Sequence, residues 1–132
     1  MKLTLAIVLI SMNVFAQGPY APVADSLGTT AIHKDSSAFI DWASACIIER
    51  GWKNITDITL GKTSTGDIYS ATEKSGVNGV VSLGDGGSAI LTFSSPIING
   101  NGPDFAVFEN AFNNTFLELA HVEVSSDGIN YF

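Results

Sequence analysis

The chain has 132 residues, a net charge of −7 and only 14% charged residues, against about 25% in an average soluble domain. That length suits one domain. The acidic balance excludes nucleic-acid binding, which needs clustered Lys and Arg to release phosphate counterions, and a polybasic membrane-surface role. An apolar content of 45% excludes disorder, and a single Cys excludes an internal disulfide framework or a CxxC metal knuckle.

Met1 and Lys2 make a short basic start, and Leu3 to Phe15 is an apolar run without a charge. Val14 and Ala16 stand at the −3 and −1 positions of a cleavage site. The pattern predicts a secretory signal peptide over residues 1–16. As a helix the run rises only about 20 Å, short of the roughly 30 Å hydrocarbon core. The mature chain therefore carries no predicted transmembrane segment. Gln17 follows the cleavage site, so no lipobox Cys is present. Loss of Lys2 leaves five cations against thirteen carboxylates, a net charge of −8.

Residues 17–34 read as a polar leader with two prolines. The spacing then predicts a helix from Ser36 to Glu49. Asp35, Ser36 or Ser37 can cap it, Ile40, Ala43 and Ile47 share a face, and Gly51 stops it. Cys46, in the apolar context FIDWASACII, reads as a buried small hydrophobe, since no His or cation adjoins it to activate a thiolate.

After Gly51 the period changes. Short β-favouring runs, Ile55–Leu60, Val77–Leu83, Ser88–Phe93, Phe105–Glu109 and Glu118–Ser125, alternate with Gly, Asn, Asp, Ser and Pro. Asp127-Gly128 reads as a hairpin turn, with Ile129 to Phe132 opening the return strand. Gly84-Asp85-Gly86-Gly87 joins two strands, so it is no phosphate loop, which needs a following helix. The expected fold for residues 35–132 is all-β: an antiparallel β-sandwich, jelly-roll-like and incomplete, with the one N-terminal helix packed on it. About five strands and a begun return fall short of the seven or eight that close a sandwich, so the chain reads as truncated, with the C-terminal part of the domain missing.

The run Gly102-Pro103-Asp104-Phe105-Ala106-Val107-Phe108-Glu109-Asn110-Ala111-Phe112, then Glu118-Leu119-Ala120-His121-Val122-Glu123-Val124-Ser125-Ser126-Asp127-Gly128, resembles a group of exported bacterial cell-surface proteins. Val81-Ser82-Leu83-Gly84-Asp85-Gly86-Gly87-Ser88 fits the same group, and His121 departs from its pattern, which has an apolar residue there. The resemblance covers about residues 19–132. It implies a cell-surface location and a longer chain, often ending in a type IX sorting domain. More distantly, Ser126-Asp127-Gly128 is similar to the hairpin of galactose-binding-like jelly rolls.

The stretch from Asn99 to Asn114 is rich in oxygen ligands. Asp104, Glu109 and Asn110 are the candidate metal ligands, and Ca²⁺ is the candidate ion, because it takes six to eight oxygens from carboxylates, amides and carbonyls. The spacing is not that of an EF-hand, and Asn and Gly also occupy such positions simply because they tolerate turns. No catalytic residues are assigned. His121, with Glu118 and Glu123 nearby, could act as a general base but reads better as a structural residue, and the plentiful Asp and Glu leave a glycosidase-type carboxylate pair open. Asn54-Ile55-Thr56 and Asn113-Asn114-Thr115 match the glycosylation triplet, which carries little weight in a bacterial exporter. Most aromatics read as core, and Trp52, after Gly51 and before Lys53, as the exposed one.

The resulting expectation is a secreted or cell-surface binding module without catalytic activity. Its ligand would be a carbohydrate, a small nutrient or a surface protein. The alternatives are a structural or adhesive surface component, and a fragment of a carbohydrate-active enzyme.

Overall fold

The computed structural model describes residues 22–110, 112–113, 118 and 120–132. The expected signal peptide therefore lies outside the described residues. The chain divides between Ile32 and His33, and the two parts are described separately.

In the first part, Ser26 and Thr29 close successive turns, their amides donating to the Val23 and Ser26 carbonyls at 3.2 Å each. Thr29 Oγ1 also donates back to the Pro22 carbonyl.

The second part is built on one antiparallel pair, β1 (Ala45–Glu49) and β2 (Ser88–Thr92). Its register sets Ala45 against Thr92, Ile47 against Ile90 and Glu49 against Ser88 on one face. Cys46 against Leu91 and Ile48 against Ala89 form the other. Ser44 extends the pairing, its amide donating to the Thr92 carbonyl at 2.8 Å. The small core holds Ala43, Cys46, Gly51 and Thr72.

The expected sandwich with its packed helix is corrected by this structure. Among the described residues there are two strands in one sheet and no α-helix. The predicted helix fails in both halves for identifiable reasons. In its first half Ser36 folds the backbone locally: its Oγ accepts from Ala38 N at 3.2 Å, and its carbonyl from Phe39 N at 3.3 Å. Such side-chain bonds compete with helix continuation. In its second half the β-branched pair Ile47-Ile48 favours a strand, and β2 supplies the partner.

Several expected strands also become turns. Within Ile55–Leu60, Asn54 and Asp57 cap successive loops, and Ile58–Leu60 is a single 3₁₀ turn with Asp57 Oδ1 accepting from Thr59 N at 3.2 Å. Within Val77–Leu83, Phe105–Glu109 and the described part of Glu118–Ser125, no strand forms. These runs have the residue types of strands, but where they meet other backbone, as Leu83 meets Gly51 and Val124 meets Phe132, the hydrogen bonds are isolated, and alternation alone does not extend them into a ladder. The expected return at Asp127-Gly128 does fold back: Val124 and Phe132 exchange both backbone hydrogen bonds at 3.1 Å.

Candidate functional site

Two features stand out on the second part: an open cleft at the start of β1, and an aromatic surface at its end.

β1 runs on through Arg50 and Gly51 into a three-segment junction. Gly51 N donates to the Leu83 carbonyl at 2.8 Å, and Thr63 N donates to the Gly51 carbonyl at 3.1 Å. Trp52 then bridges Lys62 on one side and Asp85 on the other. Gly51 has to be glycine for lack of room: a Cβ there would sit 2.3 Å from the Asp85 carbonyl oxygen and 2.4 Å from Gly87 N. Arg50 locks the periphery. Its guanidinium donates to three carbonyls, Thr65 at 2.7 Å, Ser82 at 2.6 Å and Gly66 at 2.5 Å. The planar, multi-donor head suits that role, which an ammonium could not fill in one geometry. Thr63 Oγ1 lies 2.9 Å from the Ser82 carbonyl and 3.0 Å from that of Leu83, reinforcing the same knot.

On this fixed backbone the Trp52 indole is half-buried, with Lys62 Nζ 5.5 Å from its ring centroid. That is cation–π distance. The sequence reading of Trp52 as the exposed aromatic is thus only partly matched.

The cleft, about 130 Å³, is lined by Ser44, Ala45, Cys46, Ile68, Tyr69 and Thr72. Its wall is the loop after Gly66. Gly66 adopts φ +72°, where a Cβ would collide with the Val80 carbonyl. Asp67 then caps the next turn, its Oδ1 accepting from Tyr69 N at 2.9 Å and Ser70 N at 3.2 Å. Thr72 Oγ1 donates to the Tyr69 carbonyl at 2.9 Å. The loop is tied back to the strand entry by Glu73 N, which donates to the Ala43 carbonyl at 2.9 Å. This leaves Tyr69 at 70% exposure, sharing the cleft lining with Ala45, Cys46 and Ile68. Burial raises the Cys46 thiol pKa, which favours the neutral form. Tyr69 and Thr72 carry no sequence signal for this role, because the cleft exists only once residues 66–73 meet the start of β1.

The candidate metal ligands are placed as follows. Asp104 Oδ1 accepts from Gly100 N at 2.8 Å, closing the Asn-Gly turn. Glu109 and Asn110 are exposed. Among the described residues no three His, Cys, Asp or Glu side chains converge as a metal site. His121, Glu118 and Glu123 are likewise exposed.

The aromatics divide. Phe39, Trp42 and Phe108 form a half-buried cluster with ring centroids 5.2 to 5.6 Å apart, Phe39 edge-on to Phe108 at 76°. Phe105 and Phe112, also expected in the core, are exposed. No described helix is long and apolar enough to cross a membrane. Comparison with protein families, with curated proteins and with solved structures finds no match to this chain.

Proposed function

We propose that the chain is an exported, non-catalytic binding module that takes a carbohydrate in the cleft beside β1. The observation that carries this reading is Tyr69, 70% exposed on the Asp67-capped turn and lining a cleft with Ser44, Ala45, Cys46, Ile68 and Thr72. An exposed aromatic face in a largely apolar cleft suits the apolar C–H face of a pyranose. The basic start, apolar run and Val14-Phe15-Ala16 sequence support export, and the resemblance around Gly102–Gly128 supports a place at the bacterial surface.

Calorimetric titration with neutral hexasaccharides of glucose, xylose and mannose tests this reading. Saturable binding of at least one, weakened about fivefold by Tyr69→Ala, is expected from the loss of one aromatic contact. Absence of binding to every sugar, or binding indifferent to Tyr69→Ala, defeats it.

A second reading, an adhesive surface component, is favoured by one observation. Ile47 and Ile90 stand directly opposite each other on one sheet face, 65% and 43% exposed. It predicts concentration-dependent self-association that Ile47→Ser suppresses in analytical ultracentrifugation.

A further inference from the structure

We propose that Trp52 and Lys62 form a second glycan contact, selective for an acidic sugar: the pyranose face packs on the indole while the sugar carboxylate pairs with the Lys62 ammonium. The inference rests on the reading of the chain as a glycan-binding module but uses residues outside the cleft.

The argument begins from charge. Carboxylates outnumber cations thirteen to six in this sequence, so most basic side chains should find a partner. Lys34 and Lys74 both reach Asp35, at 3.5 and 2.6 Å. Arg50 is spent on three backbone carbonyls. Among the described residues no ion pair reaches Lys62 or Lys53. The acidic side chains of the same junction already serve the backbone: Asp85 Oδ2 accepts from Ile55 N at 2.9 Å, and Asp57 Oδ1 from Thr59 N at 3.2 Å. Lys62 instead rests at the face of Trp52.

That resting place is replaceable. An exposed cation–π contact is worth only about 0.5–1 kcal/mol. A charge-assisted bond to a carboxylate is roughly twice as strong as a neutral hydrogen bond. An incoming carboxylate can therefore draw the ammonium off the ring without losing it from the site, which frees the indole for the sugar. The backbone beneath does not have to reorganise, because Trp52 is bonded to Asp85 on one side and its neighbours Gly51 and Lys53 to Thr63 and Gly61 on the other. Preorganisation of that kind lowers the ordering cost of binding. The overall negative charge does not forbid the contact, since exposed charges beyond about 8 Å are screened at physiological salt.

The test is calorimetry of the full chain with trigalacturonate and, in parallel, with maltotriose, at 20 and 500 mM NaCl. Trigalacturonate binding that falls at least about threefold with Lys62→Gln, and falls again at high salt, is the expected result, in keeping with one exposed ion pair. Trp52→Ala should abolish it, with circular dichroism confirming the fold. Should that variant not fold, the exposed Lys62→Gln substitution still decides. Equal binding of the two trisaccharides, unchanged by Lys62→Gln, overturns the acidic contact and leaves glycan binding standing. Absence of binding to either of them and to every neutral hexasaccharide overturns both.

Discussion

Trp52 and Asp85 exchange both of their backbone hydrogen bonds, Trp52 N to the Asp85 carbonyl at 3.0 Å and Asp85 N to the Trp52 carbonyl at 2.8 Å. The pair is 33 residues apart in the chain, and it fixes the Gly84–Gly87 turn against the end of β1. No side chain fits at Gly51, Gly84 or Gly87 around it. Most of the consequences for stability follow from that crowding.

Gly51→Ala should be among the most destabilising small substitutions. The new Cβ would lie 2.3 Å from the Asp85 carbonyl oxygen, a backbone atom that cannot swing aside. Gly87→Ala meets the Leu83 carbonyl at 2.2 Å. Overpacking of this kind costs about 1–3 kcal/mol. Thermal melts followed by circular dichroism should show both variants well below the wild type. Unchanged midpoints would mean that the junction is looser than these distances.

Arg50→Lys should lower stability although it keeps the charge. An ammonium can satisfy one or two of the Thr65, Gly66 and Ser82 carbonyls but not hold all three in one plane. Because the site is partly solvated, the loss is set at about 1 kcal/mol. Urea titration of the two proteins measures it directly, and Arg50→Ala should cost more than Arg50→Lys.

The Asp127 turn should be insensitive to mild acid. The amides of Asn130 and Ile129, the Asn130 side chain and Ser125 all bond to this carboxylate and hold its pKa far below the usual carboxylate range. A depressed folded-state pKa contributes stability that is present above the unfolded value, near 3.9, and lost as pH falls through the folded one. The Ile129 and Asn130 amides should therefore keep their hydrogen-exchange protection at pH 4. Asp127→Ala should remove it at every pH. Protection that disappears between pH 5 and 4 in the wild type would contradict the assignment.

Cys46 should react slowly. Burial raises its thiol pKa, and the side chain is 8% exposed. A disulfide reagent at pH 8 should modify it at least about tenfold faster in urea than in buffer, since the thiolate is the reacting form. Equal rates would place the thiol in solvent.

Some of this was legible in the amino-acid order. Ser88–Phe93 alternates and follows a Gly-rich turn, and β2 occupies Ser88–Thr92. Asp127-Gly128 reads as a hairpin turn opening a return strand; the turn is there, closed by Val124 and Phe132, but Ile129–Phe132 forms no strand. The apolar setting of Cys46 implies burial, and Cys46 is buried. These features depend on residues near each other in the chain, where side-chain period and turn chemistry act directly.

Other features were not legible. Residues 45–49 carry apolar spacing that a helix could use, yet they form β1, because β2 lies about forty residues away and completes the ladder. Ile55–Leu60 and Val77–Leu83 look like strands and are not: Asn54 and Asp57 fold the first into turns, and the second meets Thr65 and Gly51 only at single backbone hydrogen bonds. Arg50 looks like an ordinary helix-terminal cation and becomes a three-carbonyl clamp. The acidic charge, the turns and the local caps are set by composition and short-range chemistry and can be read directly from the amino-acid order. Which apolar run becomes a strand, where Tyr69 lines a cleft and which lysine faces Trp52 depend on distant segments of backbone being brought into register, and no local pattern encodes that.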